Sequence, residues 1–76
     1  MKPQTAAVLR LLQERGDRGI TPFDGLSEVG TMRLGARIWE LKQEGWEIAV
    51  DSVTVGRGKR VARYRLAVPE QRRLGL

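Results

Sequence analysis

The side chains best suited to chemistry in this 76-residue sequence are cationic, and most of them are arginines. There are 14 Lys and Arg residues against nine Asp and Glu, which gives a formal charge of +5. Eleven of the 14 are Arg, whose planar guanidinium forms paired hydrogen bonds with phosphates and guanine edges. We therefore expect a polyanionic partner; the alternative is a basic surface that only keeps the protein in solution.

These cations fall into two groups along the chain. The first lies in the segment TMRLGAR, where Thr31, Met32, Arg33 and Arg37 stand at the front of an expected helix. The second begins at residue 57, after which a single acid accompanies seven basic residues: Arg57, Lys59, Arg60, Arg63, Arg65, Arg72 and Arg73.

The absence of Cys and His excludes several kinds of chemistry. Without them there are no disulfides, no thiolate, no imidazole base and none of the common zinc ligand sets. The segment VGRGKR resembles a phosphate-binding loop, but that motif needs four residues between its glycines and Ser or Thr after the lysine. We expect no catalysis, no metal and no cofactor. The apolar runs are also too short to span a membrane or to form a secretory signal.

The whole chain is long enough for one domain. Hydrophobic spacing predicts two helices in its first part. The first helix starts near Pro3 and stops at Gly16. In the loop that follows, Ile20 can form a very short strand. The second helix is short and begins with a capping signal, because Thr21 precedes Asp24 by three residues.

A tight turn then leads into a third predicted helix at residues 31–44. Thr31 is its expected cap and Gly45 its stop. Its inward stripe has helical spacing and consists of Leu34, Ile38 and Leu41.

After this helix the apolar period changes from 3.6 to 2, which indicates a β-hairpin. The first strand starts at Trp46 and is expected to be irregular at residues 51–52. GRGK forms the turn, and the return strand covers about residues 61–68. We expect a domain at residues 1–68 and a polar basic tail at residues 69–76.

A second and a third helix joined by a short turn that contains Gly form a helix-turn-helix. ITPFDGLSEVGTMRLGARIWELKQEGWEI is similar to the small winged helix-turn-helix domains common in phage and prophage proteins. The resemblance covers roughly residues 4–50 and implies a mainly α, α+β fold with a three-helix core followed by a β-hairpin wing. It rests on Thr21, Gly30, Arg33, Leu34, Arg37, Ile38, Leu41, Gly45, Trp46 and Ile48.

The resemblance implies double-stranded DNA binding in regulation, excision, replication or packaging. Helix 31–44 would enter the major groove, and the wing tip at 56–60 would contact the backbone or the minor groove. The location implied is the cytoplasm of a bacterial host, on the nucleoid when DNA is bound. The expected contacts are Thr31 with a phosphate, Arg33 with a base, and also Met32, Arg37, Arg57, Lys59, Arg60 and Arg63.

Several of these residues have alternative roles. Arg37 can pair with Glu40 or Glu44 on its own helix, or with an acid on the second helix. Arg63 can belong to a solvated strand surface. Trp39 can cover the first helix or the hairpin, or contribute to a homodimer. Alternatively, the domain is an adaptor for an acidic phage or host protein, with Met32 and Trp39 as anchors.

Overall fold

The computed structural model describes residues 1–67, which form three helical segments followed by an antiparallel hairpin. This is the mainly helical α+β order that the sequence predicts. Val68 and the predicted tail, with Arg72 and Arg73, lie outside the described residues. The elements are α1 (Pro3–Arg15), a 3₁₀ turn (Gly16–Arg18), α2 (Pro22–Asp24, continued by a π-helical turn, Gly25–Val29), α3 (Leu34–Gln43), β1 (Ile48–Val55) and β2 (Lys59–Leu66).

The core lies where α1, α3 and the base of the hairpin meet. Both helices bury the apolar face that their spacing predicts, and the loop before α2 adds Ile20. The hairpin adds only Ile48 to the buried set, with Tyr64 and Leu66 packed against it. The buried apolar side chains among the described residues are Val8, Leu11, Leu12, Ile20, Leu34, Ile38, Leu41 and Ile48.

The start of α2 has the predicted capping box. The backbone N–H of Thr21 donates to Oδ2 of Asp24 at 2.9 Å, and that of Asp24 donates to Oγ1 of Thr21 at 3.3 Å. Further on, Gly25 lies so close to α3 that a Cβ there would be 3.2 Å from Cδ1 of Leu34. The glycine thus lets the two helices of the helix-turn-helix approach closely.

α3 begins at Leu34, so the prediction that it begins at Thr31 is wrong. Thr31 is 3% exposed, and its Oγ1 accepts a hydrogen bond from the backbone N–H of Arg33 at 3.2 Å. Its own N–H donates to the carbonyl oxygen of Gly25 at 3.1 Å. The threonine therefore stabilises the turn between the helices and does not cap α3.

The hairpin is regular from end to end. Its register runs from Ile48 opposite Leu66 to Val55 opposite Lys59, without a break at residues 51–52. The predicted irregularity there is wrong, and β2 begins two residues earlier than expected. Gly56 and Gly58, with φ of 55° and 92°, allow the three-residue turn between the strands.

A single residue from the loop before α2 pairs with the other edge of β2. The N–H of Ile20 donates to the carbonyl oxygen of Tyr64 at 2.7 Å, and that of Tyr64 donates back at 2.8 Å. The prediction of a very short strand at Ile20 is confirmed. The chain approaches β2 so closely here that a Cβ on Gly19 would lie 2.5 Å from that carbonyl oxygen. The base of the hairpin is thereby fixed to the helical core.

Candidate nucleic-acid interface

The bend before α3 projects two side chains into solvent. Met32 is 86% exposed, and Arg33 is exposed as well. Arg33 forms no ion pair with any of residues 1–67. Its guanidinium can therefore bind an external anion. The nearby Thr31 is buried, and its contact with a phosphate stays a prediction.

Arg37 is held inside the domain by side chains of α1 and α3, and its contact with DNA stays a prediction. Its Nη1 donates to Oε1 of Gln4 on α1 at 3.1 Å, and its Nη2 donates to Oε2 of Glu40 at 3.1 Å. Nε lies 3.0 Å from Oε1 of Glu40, at an angle that makes no hydrogen bond. Of the alternatives considered, pairing with Glu40 is the one observed.

Glu40 is the centre of a polar network between α1 and α3 that the sequence did not reveal. It accepts hydrogen bonds from Oγ1 of Thr5 and from Nζ of Lys2, the latter at 3.1 Å. The Thr5 hydrogen bond, with Lys2 and Arg37 nearby, holds the pKa of Glu40 below its ordinary value against the opposing effect of desolvation. The only sequence signal was that Thr5 lies at helical spacing from Val8 and Leu12 on the buried face of α1.

The wing tip carries three exposed cations, Arg57, Lys59 and Arg60. Arg60 donates from Nη2 to Oγ of Ser52 at 2.7 Å, a neutral partner that leaves its charge uncompensated. Arg57 and Lys59 form no ion pair within the described part of the chain. The tip therefore presents three positive charges at the end of the hairpin.

The cations of the strand itself are neutralised, in contrast to those of the tip. Arg63 forms a bidentate pair with Asp51, from Nε to Oδ1 at 3.1 Å and from Nη2 to Oδ2 at 2.7 Å. This pairing lowers the pKa of Asp51 and raises that of Arg63. Nη2 of Arg65 lies 4.0 Å from Oδ2 of the same aspartate. Arg63 is thus a partner of Asp51, and its contact with DNA stays a prediction.

Comparison with known families matches residues 3–69 to the winged helix-turn-helix domain. The chain belongs to this family. Comparison of the chain with curated proteins and with solved structures found no match. α3 occupies the position of the recognition helix in a winged helix-turn-helix, and the hairpin is the wing.

The outward face of the recognition helix is uncharged. At about 100° per residue, Ala36, Trp39 and Gln43 point away from the buried stripe, and Met32 precedes them. Trp39 is 61% exposed and is not among the partly buried side chains that pack against the core.

Within residues 1–67, no group of three His, Cys, Asp or Glu side chains is placed to hold a metal ion. The same residues contain no helix with the length and apolar character that crossing a membrane requires.

Proposed function

We propose that this winged helix-turn-helix domain binds double-stranded DNA, with the front of α3 in the major groove and the wing tip on the backbone or the minor groove. One observation carries the proposal. Among residues 1–67, the cations without an acidic partner include Arg33 at the front of the recognition helix and three at the wing tip, whereas Arg37 and Arg63 are paired internally.

The two positions suit different parts of a duplex. Residues at the start of a recognition helix reach base edges, and Arg33 has the guanidinium that pairs with guanine O6 and N7. At the wing tip, Arg57 lies between Gly56 and Gly58, and Lys59 and Arg60 follow. The glycines let the backbone approach a phosphate closely. The proposed contact set is therefore Met32, Arg33, Arg57, Lys59 and Arg60.

The three wing-tip cations set the expected salt dependence. If each neutralises one phosphate while Arg33 pairs with a base, log K against log salt has a slope of about −3. A single module of this size buries roughly 600–1,000 Å² on DNA. Tight binding therefore requires a second copy on a neighbouring half-site or a protein partner.

A mobility-shift titration at about 50 and about 200 mM salt tests the proposal. Arg33→Gln should weaken binding by about 1–3 kcal/mol at the preferred site. Arg10→Gln on α1 is the matched control, because it removes the same charge from an exposed residue outside the proposed interface. Equal affinities of the two variants would contradict the docking.

The resemblance to phage and prophage domains supports a role in regulation, excision, replication or packaging within a bacterial cytoplasm. The proposal is one of binding without catalysis.

A second candidate function is that of an adaptor for an acidic protein. It is favoured by the exposure of Met32 and Trp39, since large exposed side chains of this type anchor protein interfaces. Absence of DNA binding at about 50 mM salt, together with a stable complex with one acidic protein, would favour this function over the first.

A further inference from the structure

We propose that α3 reads thymine methyl groups, so that the domain selects sites rich in A·T pairs in the major groove. This inference rests on the DNA binding proposed above and adds the chemistry of the bases selected. Its starting point is the outward face of α3, which presents Met32, Ala36, Trp39 and Gln43 without a single charge.

Helical spacing leaves this face uncharged. Arg37 lies about 130° from its centre and is hydrogen-bonded to Glu40 and to Gln4 on α1. Lys42 is exposed and lies about 90° from the centre of the face, and the exposed Arg33 stands in the bend just before the helix. The helix therefore has an uncharged outward face with Lys42 at one edge, the internally paired Glu40 at the other and Arg33 in front of it.

A major groove offers the matching arrangement. Phosphates line both sides of the groove, and the thymine methyl is the apolar group that its base edges present. Ala36 and Trp39 are three residues apart, about 4.5 Å along the helix axis, close to the roughly 3.4 Å step between base pairs. The two side chains can therefore contact methyl groups of neighbouring pairs, and Gln43 can reach N6 and N7 of an adenine.

The same apolar face could contact a protein, but the charges around it favour a duplex. An apolar partner would leave Arg33 and Lys42 at the rim without counter-ions, as well as the three cations of the wing tip. A duplex supplies phosphates to Lys42 and the wing-tip cations and a guanine edge to Arg33, while neighbouring base edges meet the uncharged face.

The experiment begins with selection of bound duplexes from random sequence, followed by base replacement in the selected site. Thymine to uracil removes only the methyl group. Replacing A·T by inosine·cytosine keeps the minor-groove pattern of A·T and gives the major groove that of G·C. We expect about fourfold weaker binding for each contacted methyl that is removed, and a loss with inosine·cytosine as large as with G·C.

Variants of the apolar face complete the test. Met32→Ala and Trp39→Ala should reduce the preference for thymine over uracil from about fourfold towards one, without a change in salt slope. Leu26→Ala is the control, because it truncates an exposed apolar side chain on α2 and should leave the preference unchanged.

Three results would overturn the inference. The first is tight duplex binding that is indifferent to both base replacements. The second is an unaltered thymine preference in both α3 variants, which would indicate that Met32 and Trp39 contact a protein partner instead of DNA. The third, failure to bind any duplex at about 50 mM salt, would refute the proposed function as well, and is thus distinguishable from the first two.

Discussion

Thr5 on α1 donates a hydrogen bond from its hydroxyl to the carboxylate of Glu40 on α3. The hydroxyl belongs to a side chain that is 1% exposed, at the centre of the contact between the two helices. Lys2 and Arg37 reach the same carboxylate from either side. One acid thus joins the first helix to α3, and it also holds the Arg37 side chain within the domain.

Thr5→Val preserves the shape of the side chain and removes the hydroxyl. Because the hydrogen bond from Thr5 is the largest influence that lowers the pKa of Glu40, we expect this pKa to rise towards its ordinary value. An NMR titration of the Glu40 carboxyl carbon measures it. Thr54→Val, at an exposed position of β1, should leave the titration unchanged. An identical Glu40 titration in the Thr5 variant would show that the hydroxyl has no such role.

Acid should destabilise the domain through two carboxylates. The pKa values of Glu40 and Asp51 are lowered in the folded state, so the unfolded chain binds more protons in the acid range. The stabilisation is complete above the unfolded values of about 4.3 and 3.9, and it is lost as the pH falls through the lowered folded values. Urea unfolding at a series of pH values tests this. Combining Glu40→Gln with Asp51→Asn should flatten the acid limb, and a slope as steep as that of the parent would refute the assignment.

The wing tip and the wing strand should respond differently to loss of charge. Lys59→Gln removes an unpaired cation and should reduce the salt slope of DNA binding by about one, with little change in stability. Arg63→Gln leaves Asp51 without its bidentate partner and should lower the free energy of unfolding while preserving the slope. Salt titrations and urea unfolding of both variants separate these effects. A reduced slope for Arg63→Gln alone would reverse the two assignments.

Gly19 should tolerate a side chain less well than Gly16, although both have positive φ. Alanine at either position incurs backbone strain of about 1–3 kcal/mol. At Gly19 its Cβ would also meet the carbonyl oxygen of Tyr64 at 2.5 Å, whereas at Gly16 no atom outside its immediate neighbours lies within 4 Å. We therefore expect Gly19→Ala to lower the free energy of unfolding by more than Gly16→Ala. Comparable losses in urea unfolding would mean that the contact relaxes without cost.

The order of elements could be predicted from the sequence because local patterns determine it. Leu34, Ile38 and Leu41 recur at helical spacing, and all three are buried. The start of α3 could not be predicted in this way. A threonine before an apolar stripe looks like a cap, but Thr31 is buried and hydrogen-bonded within the turn. Its environment depends on how closely α2 and α3 pack.

The residues of the candidate site also divide into those whose environment follows from local sequence and those whose environment depends on tertiary contacts. Exposure of Arg33 and of the wing-tip cations agrees with their position at a helix front and in a glycine turn. The position of the Arg37 side chain depends on a hydrogen bond to Gln4, which is 33 residues away in sequence. That of Arg63 depends on Asp51, which the strand register places opposite it. Sequence spacing indicates the pair of Arg37 with Glu40 but neither of these longer contacts, so it left open which cations have partners within the domain.

The pairing of Ile20 with Tyr64 has a mechanical consequence for the hairpin. Hydrogen bonds and core packing hold its base. In the outer part of the hairpin, residues 51–63, no residue belongs to the core. The hairpin is therefore attached to the helical core at its base, and its tip extends away from the core. We expect bending of the outer half to leave the core contacts intact, so that in the proposed DNA complex the wing can follow grooves of different width.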